Sequence, residues 1–164
     1  MPYKRALGRF SKRSWDEFIK DFRDVHDAKL MEAVTAGCAV VAYADGWVTV
    51  EERRRMLGLI RGFEAIESFH ISEVEHHFEE VTTWFVEDHD EGERRAMELV
   101  ARLRGRPAEA ELLVQACCAI AAADGGFDAE ERAAAQRICA TLELDPARFD
   151  LADARAARVG AAGA

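Results

Sequence analysis

Cys38-Ala-Val-Val-Ala-Tyr-Ala-Asp-Gly-Trp-Val-Thr-Val-Glu-Glu-Arg53 and Cys117-Cys-Ala-Ile-Ala-Ala-Ala-Asp-Gly-Gly-Phe-Asp-Ala-Glu-Glu-Arg132 are two copies of one helical pattern. Aligned without a gap, they share the leading Cys, two Ala, Asp-Gly and Glu-Glu-Arg. Each copy reads as an apolar helix that stops at Asp-Gly, where Gly46 or Gly125 takes the left-handed conformation at a helix C-terminus. A second helix starts about three residues later, after an N-capping Thr49 or Asp128. Such self-similarity predicts two related helix-turn-helix units packed about a pseudo-twofold axis. Two copies are too few for a solenoid, so a closed globule is expected.

The same helical period extends outward from the repeat. Trp15, Phe18, Phe22 and Val25 form one apolar stripe, and Leu30, Val34, Cys38 and Val41 form another. Ile71, Val74, Phe78, Val81 and Phe85 continue the pattern, followed by Ala96, Leu99 and Leu103, and then by Leu113, Cys117 and Ile120. Capping-box spacings precede these stripes at Ser14 with Glu17, Thr49 with Glu52, Ser72 with Glu75, Asp90 with Glu93 and Asp128 with Glu131. With a helix over Leu30 to Ala44 and another after Pro107, the expectation is an all-α fold of about seven helices. A short eighth is expected after Asp145-Pro146, because Pro favours a first helical position. The two halves pack into one domain over residues 15–151, between an arm at 1–14 and an Ala-rich tail at 152–164.

The turns hold the residues with chemistry. Asp45 and Asp124 stand at helix C-termini, where the macrodipole disfavours an acid by about 0.3–1 kcal/mol. A repeated unfavourable acid has either a structural reason, hydrogen bonding to turn amides, or a ligand. Glu51, Glu52, Glu130 and Glu131 sit where acids are favoured, and capping accounts for Glu52 and Glu131. The functional alternative is a divalent-cation site, since hard cations take carboxylate oxygens: Asp45, Glu52, Asp124, Asp128 and Glu131 converge if the two turns meet. A standard EF-hand is excluded, because its first and third loop positions are Val41 and Tyr43 in one copy and Ile120 and Ala122 in the other.

The 164 residues carry 22 Lys and Arg against 31 Asp and Glu, a formal charge of -9, which argues against nucleic acid as a partner. With 49% hydrophobic and 32% charged residues the chain builds a core, so disorder is excluded. No apolar run is long enough to span a membrane, and the basic start has no apolar region behind it, so a cytoplasmic location is expected. Cys38, Cys117, Cys118 and Cys139 lie in apolar helical surroundings without paired-ligand spacing, which predicts reduced, buried thiols rather than disulfides or a metalloid trap at Cys117-Cys118. His76 and His77 adjoin Glu73, Glu75, Glu79 and Glu80, but neighbours on a helix diverge by about 100°, so a solvated face is expected rather than one ion. The run Glu87-Asp88-His89-Asp90-Glu91 reads as a dense acidic link that a cation or a basic partner would relieve. Lys4, Arg5, Arg9, Lys12 and Arg13, interleaved with Tyr3, Leu7 and Phe10, suit an arm that either rests on an anionic membrane or folds back onto the acidic body.

The two turns, Ala44-Asp-Gly-Trp-Val-Thr-Val-Glu-Glu-Arg53 and Ala123-Asp-Gly-Gly-Phe-Asp-Ala-Glu-Glu-Arg132, together with the ending Leu144-Asp-Pro-Ala-Arg-Phe149, resemble the bacterial tellurite-resistance TerB family over nearly the whole chain. Trp47 and Gly126 depart from the small polar residues expected after Asp-Gly, which sets the two loops apart. The resemblance implies an all-helical fold of two related halves and a place in the tellurium-resistance and stress-response system. It also implies partners within that system, one of them a membrane protein, peripheral association with the inner membrane, and an acidic surface that binds metal ions. Asp45, Glu52, Asp124 and Glu131 match the acidic positions of the family's motifs.

No phosphate loop, nucleophile elbow or paired metal-binding His motif occurs, so the chain reads as noncatalytic, with a metal-dependent hydrolase as a remote option. No cofactor is required; the turns leave room for a divalent ion without specifying which. The leading expectation is a stress-resistance component that uses an acidic surface for metal ions or partner docking. The alternative is a general helical interaction or membrane-scaffold module in which the repeated acids only cap helices.

Overall fold

The structure, a computed structural model, describes residues 28–46, 48–62, 71–123 and 125–152. Among them are six α-helices and one 3-10 helix and no strand: α1 (Ala28–Ala42), α2 (Val50–Gly62), α3 (Ile71–Glu87), α4 (His89–Ala101), α5 (Pro107–Ala123), α6 (Ala129–Thr141) and the 3-10 turn Pro146–Phe149. The fold is all-α, as the periodicity requires. The stripe at Trp15 to Val25, the Ser14 cap and the arm at 1–14 lie outside the described residues, as does the tail beyond Ala152.

The repeat is visible in the helix boundaries. Each Asp-Gly turn leads into a 13-residue helix, α2 in the first copy and α6 in the second. Gly46 and Gly125 both have φ 105°, a backbone conformation that glycine reaches without the Cβ penalty.

Helix α1 is the centre of the molecule, with α3, α4, α5 and α6 all packed on it. Its sequence suggested a single stripe, but burial extends nearly all round, taking in Met31, Ala33, Ala36, Gly37, Ala39 and Val40 as well as Leu30, Cys38 and Val41. Small residues make this possible, because Ala and Gly let neighbours approach from several sides. A Cβ on Gly37 would stand 2.8 Å from Leu113 Cδ2 on α5. The stripe on α3 is as expected, with Val74, Phe78, Val81 and Phe85 buried. Leu99, Leu103, Leu113, Ile138, Phe149 and Leu151 complete one continuous core.

Two helix starts differ from their sequence signals. Helix α4 begins at His89 with Asp88 as N-cap, its Oδ1 accepting from Glu91 N at 3.0 Å, rather than at Asp90 with Glu93. Asp88 N still donates to Trp84 O at 3.1 Å, so a single residue separates α3 from α4. The acidic link is therefore a one-residue joint, and Glu93 serves instead as the partner of Arg137 on α6, 2.7 Å away. Helix α3 already contains Ser72, which is not its cap. After α6, Asp145 caps the short Pro146–Phe149 turn, which winds as a 3-10 helix. Gln136 Nε2 and Arg132 Nη1 then donate to the carbonyls of Leu151 and Asp150, at 2.6 and 2.8 Å, and hold this segment against α6.

Candidate functional site

The first turn follows α1. Gly46 N donates to Tyr43 O at 2.9 Å, and Asp45 and Gly46 are exposed. Thr49 then caps α2: Glu52 N donates to Thr49 Oγ1 at 3.2 Å, and Glu52 Oε2 accepts from Thr49 N at 2.8 Å. In the second turn Gly126 N donates to Ala121 O at 2.8 Å, and Gly126 also has positive φ, at 108°. Asp128 and Glu131 repeat the reciprocal cap at 2.7 and 3.0 Å.

Both turn glutamates thus hold the backbone of their own helix start, a use that stabilises a helix N-terminus by about 1 kcal/mol. The structure pairs Asp128 with Glu131 in one turn and Glu52 with Thr49 in the other. Asp124 lies outside the described residues. Among the described residues no group of three or more His, Cys, Asp and Glu side chains is placed to hold a metal ion.

The larger electrostatic feature lies on α3 and the start of α4. Ile71 to Glu93 contains nine acidic residues and neither Lys nor Arg. Glu73, His76, Glu80, Thr83 and Glu87 follow one another at helical spacing and are all exposed. Arg102 pairs with Glu32, Arg106 with Glu109 and Arg148 with Glu111, away from this stretch, whereas Arg137 pairs with its Glu93, and Arg94 and Arg95 with its Glu91. The latter two hold the Glu91 carboxyl down at about 2. Among the described residues no Lys or Arg pairs with Glu73, Glu79 or Glu87. His76 is exposed, whereas His77 turns inward: its Nδ1 is 3.7 Å from Glu80 Oε2, and its buried Nε2 has no hydrogen-bond partner among the described residues.

A ring cluster ties this acidic region to the first turn. Tyr43, at the end of α1, stacks on Phe85 of α3 with centroids 4.8 Å apart, and His89 meets Phe85 edge-on at 5.6 Å. His89 Nε2 donates to the Tyr43 carbonyl at 2.8 Å. Burial pushes the Tyr43 phenol up, against the charge of Arg53. The sequence offered no signal for this contact beyond the aromatic spacing.

All four thiols are free; Cys38, Cys117 and Cys139 are buried and Cys118 half-buried. A hydrogen bond to the Cys38 thiol, together with burial, holds Cys117 well above its ordinary value, and burial pushes Cys118 up to about 12 and Cys139 up to about 11. Nucleophilic and metal-binding chemistry needs the thiolate, so these side chains act as small apolar packing.

Among the described residues no helix is long and apolar enough to cross a membrane. Residues 31–154 match the family described as Tellurite resistance protein TerB. A curated relative, the tellurium resistance protein TerB of Alcaligenes sp, is 28% identical over 100 residues, covering 61% of this chain and 82% of the relative. No solved structure matches the chain.

Proposed function

The chain belongs to the TerB family of tellurite-resistance proteins, and from that premise we propose that it is a noncatalytic component of tellurium resistance that docks a basic partner on its acidic α3 face. The observation that carries this reading is the stretch Ile71 to Glu93, nine acids with no Lys or Arg, of which Glu91 and Glu93 are paired with arginines while Glu73, Glu79 and Glu87 are exposed without a Lys or Arg partner among the described residues. Repulsion among exposed like charges is relieved when a cationic surface meets them, and such complementarity sets both association rate and choice of partner. The proposed partner class is another protein of the same resistance system, a membrane component among them, and the proposed place of action is the cytoplasm at the inner membrane. The basic arm at residues 1–14 supports this location, since Lys and Arg near an anionic surface contribute about 1 kcal/mol each.

Charge reversal tests it. Glu73→Lys, Glu80→Lys and Glu87→Lys together are expected to lower the tellurite concentration tolerated by a sensitive host by about tenfold, at unchanged folded protein level, because like-charge juxtaposition costs several kcal/mol of docking. Full resistance from the triple variant overturns the docking reading.

A second reading places a divalent cation at the repeated turns, with Asp45, Glu52, Asp124, Asp128 and Glu131 as ligands. It is supported by the matching glycine conformation at Gly46 and Gly125. Because Glu52 and Glu131 hold caps, a bound ion would have to displace those hydrogen bonds. Calorimetric titration of metal-stripped protein with Ca, Mg, Mn and Zn is expected to give the same weak heats for wild type and for Asp45→Asn plus Asp124→Asn. Stoichiometric binding of one ion, lost in the variant, would instead establish the turns as the site.

A further inference from the structure

The carbonyl of Tyr43 accepts two hydrogen bonds, from Gly46 N at 2.9 Å within its own turn and from His89 Nε2 at 2.8 Å across the fold. Carbonyls in the last turn of a helix have no partner within the helix, so a side-chain donor there fixes the angle at which the chain leaves. The donor in this case begins another helix, α4. Its ring is held by Phe85, which also stacks on the Tyr43 ring, so the end of α1, the end of α3 and the start of α4 meet at one point. The second turn is built differently: its counterpart of Tyr43 is Ala122, which has no ring to stack, and its carbonyl accepts from Gly125 N at 3.3 Å.

Exposed acids flank this junction on both sides. Asp45 lies two positions beyond Tyr43, and Asp88 and Asp90 lie on either side of His89. We infer that His89 is a positioning residue that fixes the first Asp-Gly turn to the acidic α3–α4 joint, so that Asp45, Asp88 and Asp90 form one surface continuous with the α3 docking face. The surface's role rests on the docking function proposed above, whereas the clamp itself stands on the hydrogen bond and ring contacts.

Two variants and two measurements separate these. His89→Ala removes the donor, whereas His89→Gln keeps an N–H at similar reach. In His89→Ala, amide exchange at Gly46 is expected to accelerate about tenfold while Gly125 is unchanged, and His89→Gln restores the wild-type rate within about twofold. General loosening of the core would quicken both glycines alike, and that result, or an unchanged Gly46, overturns the clamp. Fluorescence anisotropy with a decalysine peptide at low salt reads the surface: His89→Ala is expected to weaken binding about fivefold and His89→Gln to preserve it. If wild type does not bind the peptide, the docking reading fails; if Ala and wild type bind equally, His89 does not shape the surface.

Discussion

Gly92→Ala is expected to destabilise the protein by about 3 kcal/mol and to lower Tm by about 6–12 °C. A Cβ at this position would stand 2.7 Å from Phe85 N and 2.8 Å from Phe85 Cα and Trp84 C. All three are backbone atoms of α3, so no side-chain rotation can make room. Nor can the helices part easily, because Asp88 alone joins them and both are packed on α1. Alanine is favoured over glycine by about 1 kcal/mol in a helix interior, so the strain must exceed that gain. Gly58, in α2, provides the control: among the described residues a Cβ there meets nothing within 4 Å. Gly58→Ala should therefore be neutral or stabilising. Thermal unfolding followed by circular dichroism distinguishes the two, and a Gly92→Ala variant as stable as wild type would mean that the α3–α4 crossing is looser than described.

Phe78→Ala is expected to cost about 4 kcal/mol, because it removes an aromatic ring from a site the neighbours cannot fill. Phe78 is fully buried and lies on the α3 stripe with Val74, Val81 and Phe85. Those residues belong to a helix fixed by its packing on α1 and by the short joint to α4, which limits collapse into the void. Urea unfolding should show a lower midpoint with an unchanged slope, the signature of lost stability rather than of a changed unfolded state. Phe78→Leu should recover more than half of the loss, since most of the apolar volume returns. A Phe78→Ala midpoint near wild type would show that the ring is not part of the core. Because α3 carries exposed glutamates on its opposite side, these variants separate folding from the proposed docking: they act through stability, whereas the lysine substitutions at Glu73, Glu80 and Glu87 act at the surface.

What could be read in the sequence has a common physical origin: it is local. The caps at Thr49 with Glu52 and at Asp128 with Glu131 join residues three apart, so their spacing alone specifies the geometry. The left-handed glycines after the repeated Asp, Pro107 at the first position of α5 and the buried stripe of α3 follow from backbone sterics and the helical period in the same way. Asp45 and its turn were legible as a candidate site for that reason. The remaining features depend on which helices meet. Asp88 displaces Asp90 as the cap of α4 because the chain leaves α3 with no slack, and Gly92 is required only because α4 crosses the α3 backbone there. The burial of α1 on nearly every side needs four neighbouring helices, which no period within α1 reveals. The same holds for charge. A carboxylate near a helix start can cap, pair or bind a ligand with similar residues around it; local spacing selects capping for Glu52 and Glu131, whereas tertiary structure selected pairing with Arg137 for Glu93 and exposure for Glu73 and Glu87. The contact between His89 and Tyr43, 46 residues apart, belongs wholly to that level, because only packing brings a donor from α4 to the open end of α1.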